Sequence, residues 1–346
     1  MSERRIFLDQ GVGETRGVVV LDGAPERLLI RREGDDPRLQ LGARLTAVVA
    51  SVEPALSTAF LDLGEGAEAI LQFKPDARPV RGEVIEVEIR GEPRRGKLAI
   101  ARPLGAAEGR PRLLAEAPGL GEILERLAPG ARLTAGRAAR EAADEAEAAA
   151  LEMLHPLPGG GVLAIEPTRA LTAVDVDLGD RKGSDAKRLT RAANLAAIDL
   201  TARLLRLKSL GGIVVIDLVG RGHDAKTLQA AARAAFAPDN PGVAIEPIGR
   251  FGTLELSLPR RTRPLAELLC REDGALSDRS LAQRLLRRIE AEAAAQPGAR
   301  LAARCAPSVA KAAGPLAVQL TARIGARFTL DPDPARARES FDVAAA

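Results

Sequence analysis

The sequence predicts a multidomain fold of mixed class, α+β with an α/β portion. Three observations carry that expectation. Between residues 38 and 103, short alternations of apolar and charged residues follow one another without a helical period. Between 160 and 262, strand-like runs alternate with helical ones, and the run GIVVIDLV at 212–219 is apolar almost throughout. Residues 277–345 repeat the alternation on a smaller scale. The 346-residue length suits two or three domains at ~100–200 residues each. With 46% apolar and 28% charged residues, the chain can bury real cores.

Taken in order, residues 1–36 contain RGVVVLDGAPERLLIRRE, which predicts a hairpin turning at Asp22-Gly23. Residues 37–103 hold about three strands in RLTAVVASVEPALSTAFLDLGEGAEAILQF. Two more follow in GEVIEVEIRGEPRRGKLAIAR, joined by a basic, Gly-containing turn. Five short strands in so short a stretch fit a small barrel such as an OB-fold. Residues 104–158 are rich in Ala and Glu, with breaks at Pro111, Pro118, Pro129 and Gly130, and AAREAADEAEAAALEML predicts a helix.

Residues 159–262 open with the strands GVLAIE and LTAVDVD, a hairpin around Pro167-Thr168. A long helix over about 185–208 follows, capped by Ser184 or Asp185, with an apolar stripe through Leu189, Ala193, Leu200 and Leu204 and a stop at Gly211. The apolar run after it predicts a strand covered on both faces. A helix at about 224–236, capped by Asp224, and the strands VAIEPI and GTLELSL complete the unit. Residues 263–276 are expected to be a linker, and 277–346 a small α/β module ordered helix, strand, helix, strand.

Composition excludes several classes. Lys and Arg total 50 against 47 acids, so any basic site must be local. Cys270 and Cys305 form no CxxC pair and no disulfide framework. MSERRIFLDQ has no apolar core of a signal peptide, and no uncharged run approaches the ~20 residues of a membrane span, so a cytoplasmic chain is expected. His155 and His223 show no triad or zinc spacing, and GVG at 11–13 lacks the strand and helix of a phosphate loop.

The chemistry gathers in ALTAVDVDLGDRKGSDAKRL, residues 170–189. Two strands end at Asp175 and Asp217, and the helix between them predicts a right-handed crossover with the strands parallel. Both acids then sit at carboxyl ends of strands, where open α/β sheets place their ligands. Asp175 and Asp177 share a face by alternation, so three carboxylates are expected to converge. Converging carboxylates repel, and a hard divalent cation such as Mg²⁺ removes the repulsion while keeping positions open for phosphate oxygens. The cations Arg181, Lys182, Lys187, Arg188, Arg191, Arg203, Arg206 and Lys208 between 180 and 208 suit a phosphodiester. The spacing by itself equally fits acids that cap helices or close turns.

ALTAVDVD, LLRLKSLGGIVVIDLVG and IEPIGRFGTLELS resemble, in order and spacing, the catalytic region of the ribonuclease E / ribonuclease G family. SVEPALSTAFLDLG is similar to that family's OB-type RNA-binding domain, and SLAQRLLRRIEAEA to the start of its small C-terminal domain. The resemblance implies an RNase-H-like core, here reduced (1–36 and 104–158), interrupted by the OB-fold barrel (37–103). It further implies a deoxyribonuclease-I-like catalytic subdomain (159–262) and a small domain used in dimerisation, hence a homodimer. It implies Mg²⁺-dependent endoribonuclease cleavage of single-stranded A/U-rich RNA, with one ion per active site, in RNA processing or decay.

On the matching positions, Asp175 and Asp217 are implied as metal ligands and catalytic residues. Asp177 stands where the family has an Asn contacting the scissile phosphate. Phe60 and Lys97 fall on RNA-holding positions of the barrel. Arg250 and Phe251 match an RFG beside the active site, and Arg181 and Lys182 are expected backbone contacts. The segment that reads a 5′-monophosphate is missing, so no preference for such ends is expected. CRED at 270–273 replaces the family's CPxC, and one thiol per chain supplies at most two ligands of a tetrahedral zinc site between subunits, so zinc is not expected. Ile70 stands at a second stacking position and Gly220 at an acidic one. These departures, with Asp177, leave a rival: an RNA-binding protein of this family with weak or no catalysis.

Overall fold

Three antiparallel strands open the chain, β1 (Arg4–Gln10), β2 (Glu14–Leu21) and β3 (Ala24–Arg32). The computed structural model describes residues 3–180 and 185–346. The predicted hairpin is the second half of this meander, and its turn sits at Asp22-Gly23 as expected. The strand missed was RRIFLDQ, whose charged ends mask its alternation: Ile6, Phe7 and Asp9 are buried.

The chain then enters a barrel of β4 (Arg44–Glu53), β5 (Thr58–Asp62), β6 (Glu68–Gln72), β7 (Val84–Gly91) and β8 (Ala99–Ala106). The pairing order β4–β5–β6–β8–β7 returns to β4, so the five strands close, consistent with an OB-fold. Alternation fills the inside with Leu45, Ala47, Val49, Leu61, Leu71, Val87 and Ile89 and leaves Phe60 and Ile70 partly outside. β9 (Arg112–Ala115) adds to the outer edge of β4.

The Ala/Glu-rich segment is structural. α1 (Leu120–Leu127) packs Leu124 on the meander, and β10 (Leu133–Thr134) pairs parallel with β1. α2 (Arg137–Leu151) lays Ala139, Ala143, Ala146 and Ala150 against the other side. Side chains this small let the helix approach the sheet closely, which is why a low-complexity sequence makes a core helix.

β11 (Leu154–Pro156), β12 (Val162–Pro167) and β13 (Thr172–Asp177) form antiparallel neighbours. α3 (Ala186–Leu207), capped by Asp185, crosses over to β14 (Gly212–Asp217), which pairs parallel with β13. After α4 (Ala225–Ala235), β15 (Ala244–Ile245) and β16 (Thr253–Leu258) finish a sheet ordered β11–β12–β13–β14–β16–β15. Of the expected strand VAIEPI only Ala244 and Ile245 pair. The prediction that β14 is covered on both faces is corrected. Val214 and Ile216 are fully buried toward α3, but Ile213 on the other face is 52% exposed. One face of this sheet is open.

The expected linker contains α5 (Leu265–Leu269), with Cys270 half-buried after it. The last module is α6 (Asp278–Ala295), β17 (Leu301–Cys305), α7 (Pro307–Ala313), α8 (Ala317–Ile324), β18 (Phe328–Pro332) and β19 (Phe341–Ala345). The single helix expected over SVAKAAGPLAVQLTARIG divides at Gly314-Pro315, because Pro cannot donate to the preceding turn. The strand β19 was not anticipated. Among the described residues no helix is long and apolar enough to cross a membrane.

A buried ionic cluster joins these parts. Arg16 on β2, its side chain 1% exposed, meets Asp9 at 2.6 Å, Asp144 at 2.7 Å and Glu147 on α2 at 3.2 Å. Arg287 on α6 pairs with Glu147 at 3.2 Å and with Glu14. Arg284 reaches Glu147 at 2.7 Å, and Arg32 joins Glu14 at 2.6 Å and the Ser280 hydroxyl at 3.1 Å. Burial pushes the Glu147 carboxyl up, but Arg287, Arg284 and Arg16 outweigh it and hold the group below the ordinary carboxylate range.

Removing one partner from such a cluster leaves uncompensated buried charge. Glu147→Ala should therefore destabilise the fold by about 3–5 kcal/mol in urea denaturation. Because the Glu147 pKa is lowered on folding, its contribution is present above the unfolded carboxylate pKa. It should be lost as pH falls through the lowered value, and the Ala variant should lack that part of the acid limb.

Candidate active site

The pairing of β13 with β14 decides where the two acids stand. Thr172 lies opposite Val214, Ala173 opposite Val215 and Val174 opposite Ile216, so the next rung places Asp175 beside Asp217. Partners in a parallel ladder point to the same face. Val174 and Ile216 point into the core, so Asp175 and Asp217 point together onto the open face, and both are exposed. Adjacent strands lie ~4.8 Å apart. The rung continues to Ala164 on β12 and Thr253 on β16, two small neighbours. Among the described residues neither carboxylate has a hydrogen-bond or ion-pair partner.

The start of β14 depends on LGG. Gly212 has φ +94°, and a Cβ there would come within 2.0 Å of the Arg260 guanidinium, which lies across the backbone and donates to the Gly211 carbonyl at 3.0 Å. On the other side, Gly161 (φ +84°) lets its loop approach the Asp177 carbonyl, where a Cβ would stand at 2.1 Å. Both acid-bearing strands are thus held at the ends by close backbone contacts.

Asn194 fixes the loop that leaves Asp217. It lies on the buried side of α3, 1% exposed. Its amide donates to the Val219 carbonyl and its oxygen accepts from the Val219 N–H, both at 3.0 Å. Sequence reasoning passed over this residue. The available signal was a lone amide within an otherwise apolar stripe.

The three-carboxylate expectation is corrected. Among the described residues no three His, Cys, Asp or Glu side chains gather closely enough to hold a metal. Asp177 is exposed on the same face as Asp175, but its carboxylate accepts from the Gly179 N–H at 2.8 Å and closes a local turn. What remains is a pair, Asp175 and Asp217.

The basic residues divide. α3 has 22 residues and is therefore ~33 Å long, so its two ends cannot serve one site. Lys187, Arg188 and Arg191 stand exposed at the end near the acids. Arg203, Arg206 and Lys208 stand at the far end: Arg203 donates to the Pro25 carbonyl, and Arg206 pairs with Glu26 at 3.2 Å and Asp239 at 2.8 Å. Lys208 donates to the Ala150 carbonyl at 2.9 Å and to that of Glu152, closing the carboxyl end of α2, and its burial lowers its pKa to about 8. Arg181 and Lys182 lie outside the described residues.

On the barrel, Phe60 pairs with Ile70 and Ile70 with Ile100, which makes a half-exposed apolar band across β5, β6 and β8. Lys97 is exposed in the turn between β7 and β8. That hairpin docks on the segment after β16: Glu92 N–H donates to the Arg261 carbonyl at 2.8 Å and Arg95 N–H to Glu267 at 2.7 Å. The docking is at the Gly212 end of the sheet, one strand length (~20 Å) from the acids. Arg250 and Phe251 belong to the loop before β16, nearer the acids. Phe251 is 85% exposed, with the Arg250 guanidinium 5.7 Å from its ring centre. The next residue, Gly252, accepts from the Leu218 N–H at 3.3 Å.

Asn194→Ala would leave a buried N–H and carbonyl of Val219 unpartnered, which costs ~1–3 kcal/mol. The urea midpoint should fall accordingly and amide exchange at Val219 should quicken. Unchanged exchange there would remove Asn194 from this role.

The model of the ribonuclease E/G family matches residues 138–261, the stretch from α2 past β16 that carries both acids. Ribonuclease E of Haemophilus influenzae is 37% identical over 147 residues, 40% of this chain and 16% of the relative. Ribonuclease E of Escherichia coli is 36% identical over 147 residues, 40% of this chain and 14% of the relative. The ribonuclease E/G-like chloroplastic protein of Arabidopsis thaliana is 30% identical over 122 residues, 34% of this chain and 12% of the relative. The matched stretch is thus about one-sixth to one-eighth of those relatives' length. The similarity to the ribonuclease E/G family thus lies in residues 138–261, the part of the chain that bears Asp175 and Asp217.

Proposed function

We propose that this protein is an endoribonuclease that hydrolyses single-stranded, A/U-rich RNA to 5′-phosphate and 3′-hydroxyl ends in RNA processing or decay. The observation that carries the reading is the pair Asp175 and Asp217, in register on an open sheet face with no cationic partner among the described residues. Two adjacent exposed carboxylates without compensation form a hard oxygen donor set, which fits one Mg²⁺. When bound there, Mg²⁺ would supply Lewis-acid stabilisation of charge on the phosphate and lower the pKa of an attacking water.

The chain's own residues supply the rest. The pairing of β13 with β14 holds the backbone of Asp175 and Asp217 at adjacent positions. Asn194 holds the loop behind Asp217. Phe251, nearly free of protein contact, offers a face on which a base can stack, and Arg250 beside it offers charge to the backbone. The Phe60–Ile70–Ile100 band and Lys97 would hold RNA at a distance from the cut, with stacking at Phe60 alone. In this reading the β10–β1–β2–β3 sheet is the reduced RNase-H-like unit, the six-stranded sheet with the acids is the deoxyribonuclease-I-like unit, and the last module pairs two copies. Zinc has no part in it.

A second reading has one observation in its favour. Asp177 adds a negative charge on the face where a phosphate would lie, two residues from Asp175. That repulsion favours an RNA-binding protein of weak or absent catalysis. Fluorescent A/U-rich RNA with Mg²⁺, and then with EDTA, separates the two: no EDTA-sensitive product means the second reading holds.

Asp217→Ala should lower cleavage at least ~1,000-fold, the rate equivalent of several kcal/mol of lost transition-state stabilisation, with little change in RNA affinity. Cleavage at the wild-type rate would remove Asp217 from the chemistry. Phe60→Ala should weaken binding of a single strand by ~1–3 kcal/mol, about 5- to 150-fold in Kd, as read by fluorescence anisotropy.

A further inference from the structure

A cleft of about 470 Å³ lies between the amino-terminal half of α3 and the start of α4, and the loop leaving Asp217 forms one wall. Its lining includes Lys187, Arg188, Arg191, Arg221 and His223. The acids at its rim are already engaged. Asp185 accepts from the Arg188 N–H at 3.0 Å as the cap of α3. Asp224 accepts from the Thr227 N–H at 3.2 Å and hydroxyl at 2.7 Å, and meets Arg191 at 3.5 Å. Those hydrogen bonds from Thr227 hold the Asp224 carboxyl below its ordinary range. Four fixed cations (Lys187, Arg188, Arg191, Arg221) therefore face two acids (Asp185, Asp224), and among the described residues Lys187, Arg188 and Arg221 have no acid within ion-pair distance.

Exposed cations are ordinarily scattered, and mutual repulsion spreads them. Here they converge on one concavity, bordered by the amino ends of two helices whose partial positive charge adds to theirs. The floor is stiff: Leu228 is buried, and Asn194 is locked onto Val219. Lys187, Arg188 and Arg221 are uncommitted, while the cavity that positions them is built on a packed floor.

We propose that this cleft binds a phosphate group of the RNA next to the scissile one. The inference rests on the endoribonuclease reading and names a subsite for it. Arginine forks match phosphate oxygens in pairs, and lysine adds a point charge. Arg221 is four positions after Asp217, so their Cα atoms lie at most ~14 Å apart, a span a few nucleotides cover. The phosphate belongs either to an internal phosphodiester or to a 5′-terminal monophosphate; the chemistry is the same and the experiment distinguishes the sources.

The test uses the full chain, EDTA to prevent cleavage, and a fluorescent A/U-rich RNA in 5′-phosphate and 5′-hydroxyl forms, titrated over a range of salt. For single strands, each phosphate contact contributes about 0.7 to the slope of log K against log salt. The triple variant Lys187→Ala, Arg188→Ala, Arg221→Ala should flatten the slope by about 0.7 and weaken binding, while Phe60→Ala should weaken binding and keep the slope. Equal loss for both RNA forms assigns an internal phosphodiester, and loss confined to the 5′-phosphate form assigns a terminal one. Lys187→Glu alone, at an exposed helical position, should act in the same direction without a change in thermal midpoint. A triple variant with wild-type affinity and slope overturns the subsite while the nuclease reading stands. A flattened slope with no Mg²⁺-dependent product from the wild type keeps the subsite and sinks the nuclease reading. Absence of RNA binding by the wild type overturns both.

Discussion

The parallel ladder between β13 and β14 is the constraint on which the site depends. Asp217 is the last residue of β14 and Asp175 lies two residues before the end of β13, and only one register puts them side by side. A slip of one residue would turn one carboxylate toward Val174 and Ile216 in the core, where an unpaired charge costs several kcal/mol. The hydrophobic pattern that buries those valines and isoleucines therefore also aligns the acids. Folding and site assembly are one event, and the open face supplies a place where both charges remain solvated until a ligand arrives.

That constraint needs support at both ends of the strands. The LGG segment brings Arg260 flat against the backbone before β14, and Asn194 ties down Val219 after it. α3 belongs to the same arrangement. Its amino-terminal half presents free cations, while its carboxyl-terminal half spends Arg206 and Lys208 on Glu26, Asp239 and the end of α2. One basic helix thus divides its charge between a candidate ligand surface and a structural joint.

Much of this could be read in the sequence. The crossover, the cap at Asp224, the five barrel strands and the placing of Asp175 and Asp217 near the carboxyl ends of neighbouring strands follow from periodicity and local chemistry. What escaped had physical reasons. Periodicity does not say whether a second layer covers a sheet, so the apolar run containing Ile213 was assigned two covered faces when it has one. For the cations of α3, proximity in sequence is not proximity in space, because the 22-residue helix is ~33 Å long. Asp177 was counted into the site because alternation aims it there, but a glycine two residues on offered its carboxylate a local hydrogen bond. The strand β19 pairs with β17 across a long sequence separation that no window-based pattern registers.

The buried ionic cluster bears on what the short amino-terminal sheet does. Four arginines (Arg16, Arg32, Arg284, Arg287) and four acids (Asp9, Glu14, Asp144, Glu147) come from the meander, α2 and α6. Hydrophobic residues of similar volume could join the same surfaces with less desolvation, so the cluster is an inefficient glue. It is, however, a demanding one. Charges must meet in matched pairs, and a misplaced helix would bury an arginine alone. Val12, at the turn before β2, also reaches into the core of the last module. The meander is thereby tied to both the sheet that bears the acids and the terminal module. Asp9, Glu14, Arg16 and Arg32 are consumed in those joints, so these charges hold the units together and are not free to meet a polyanion.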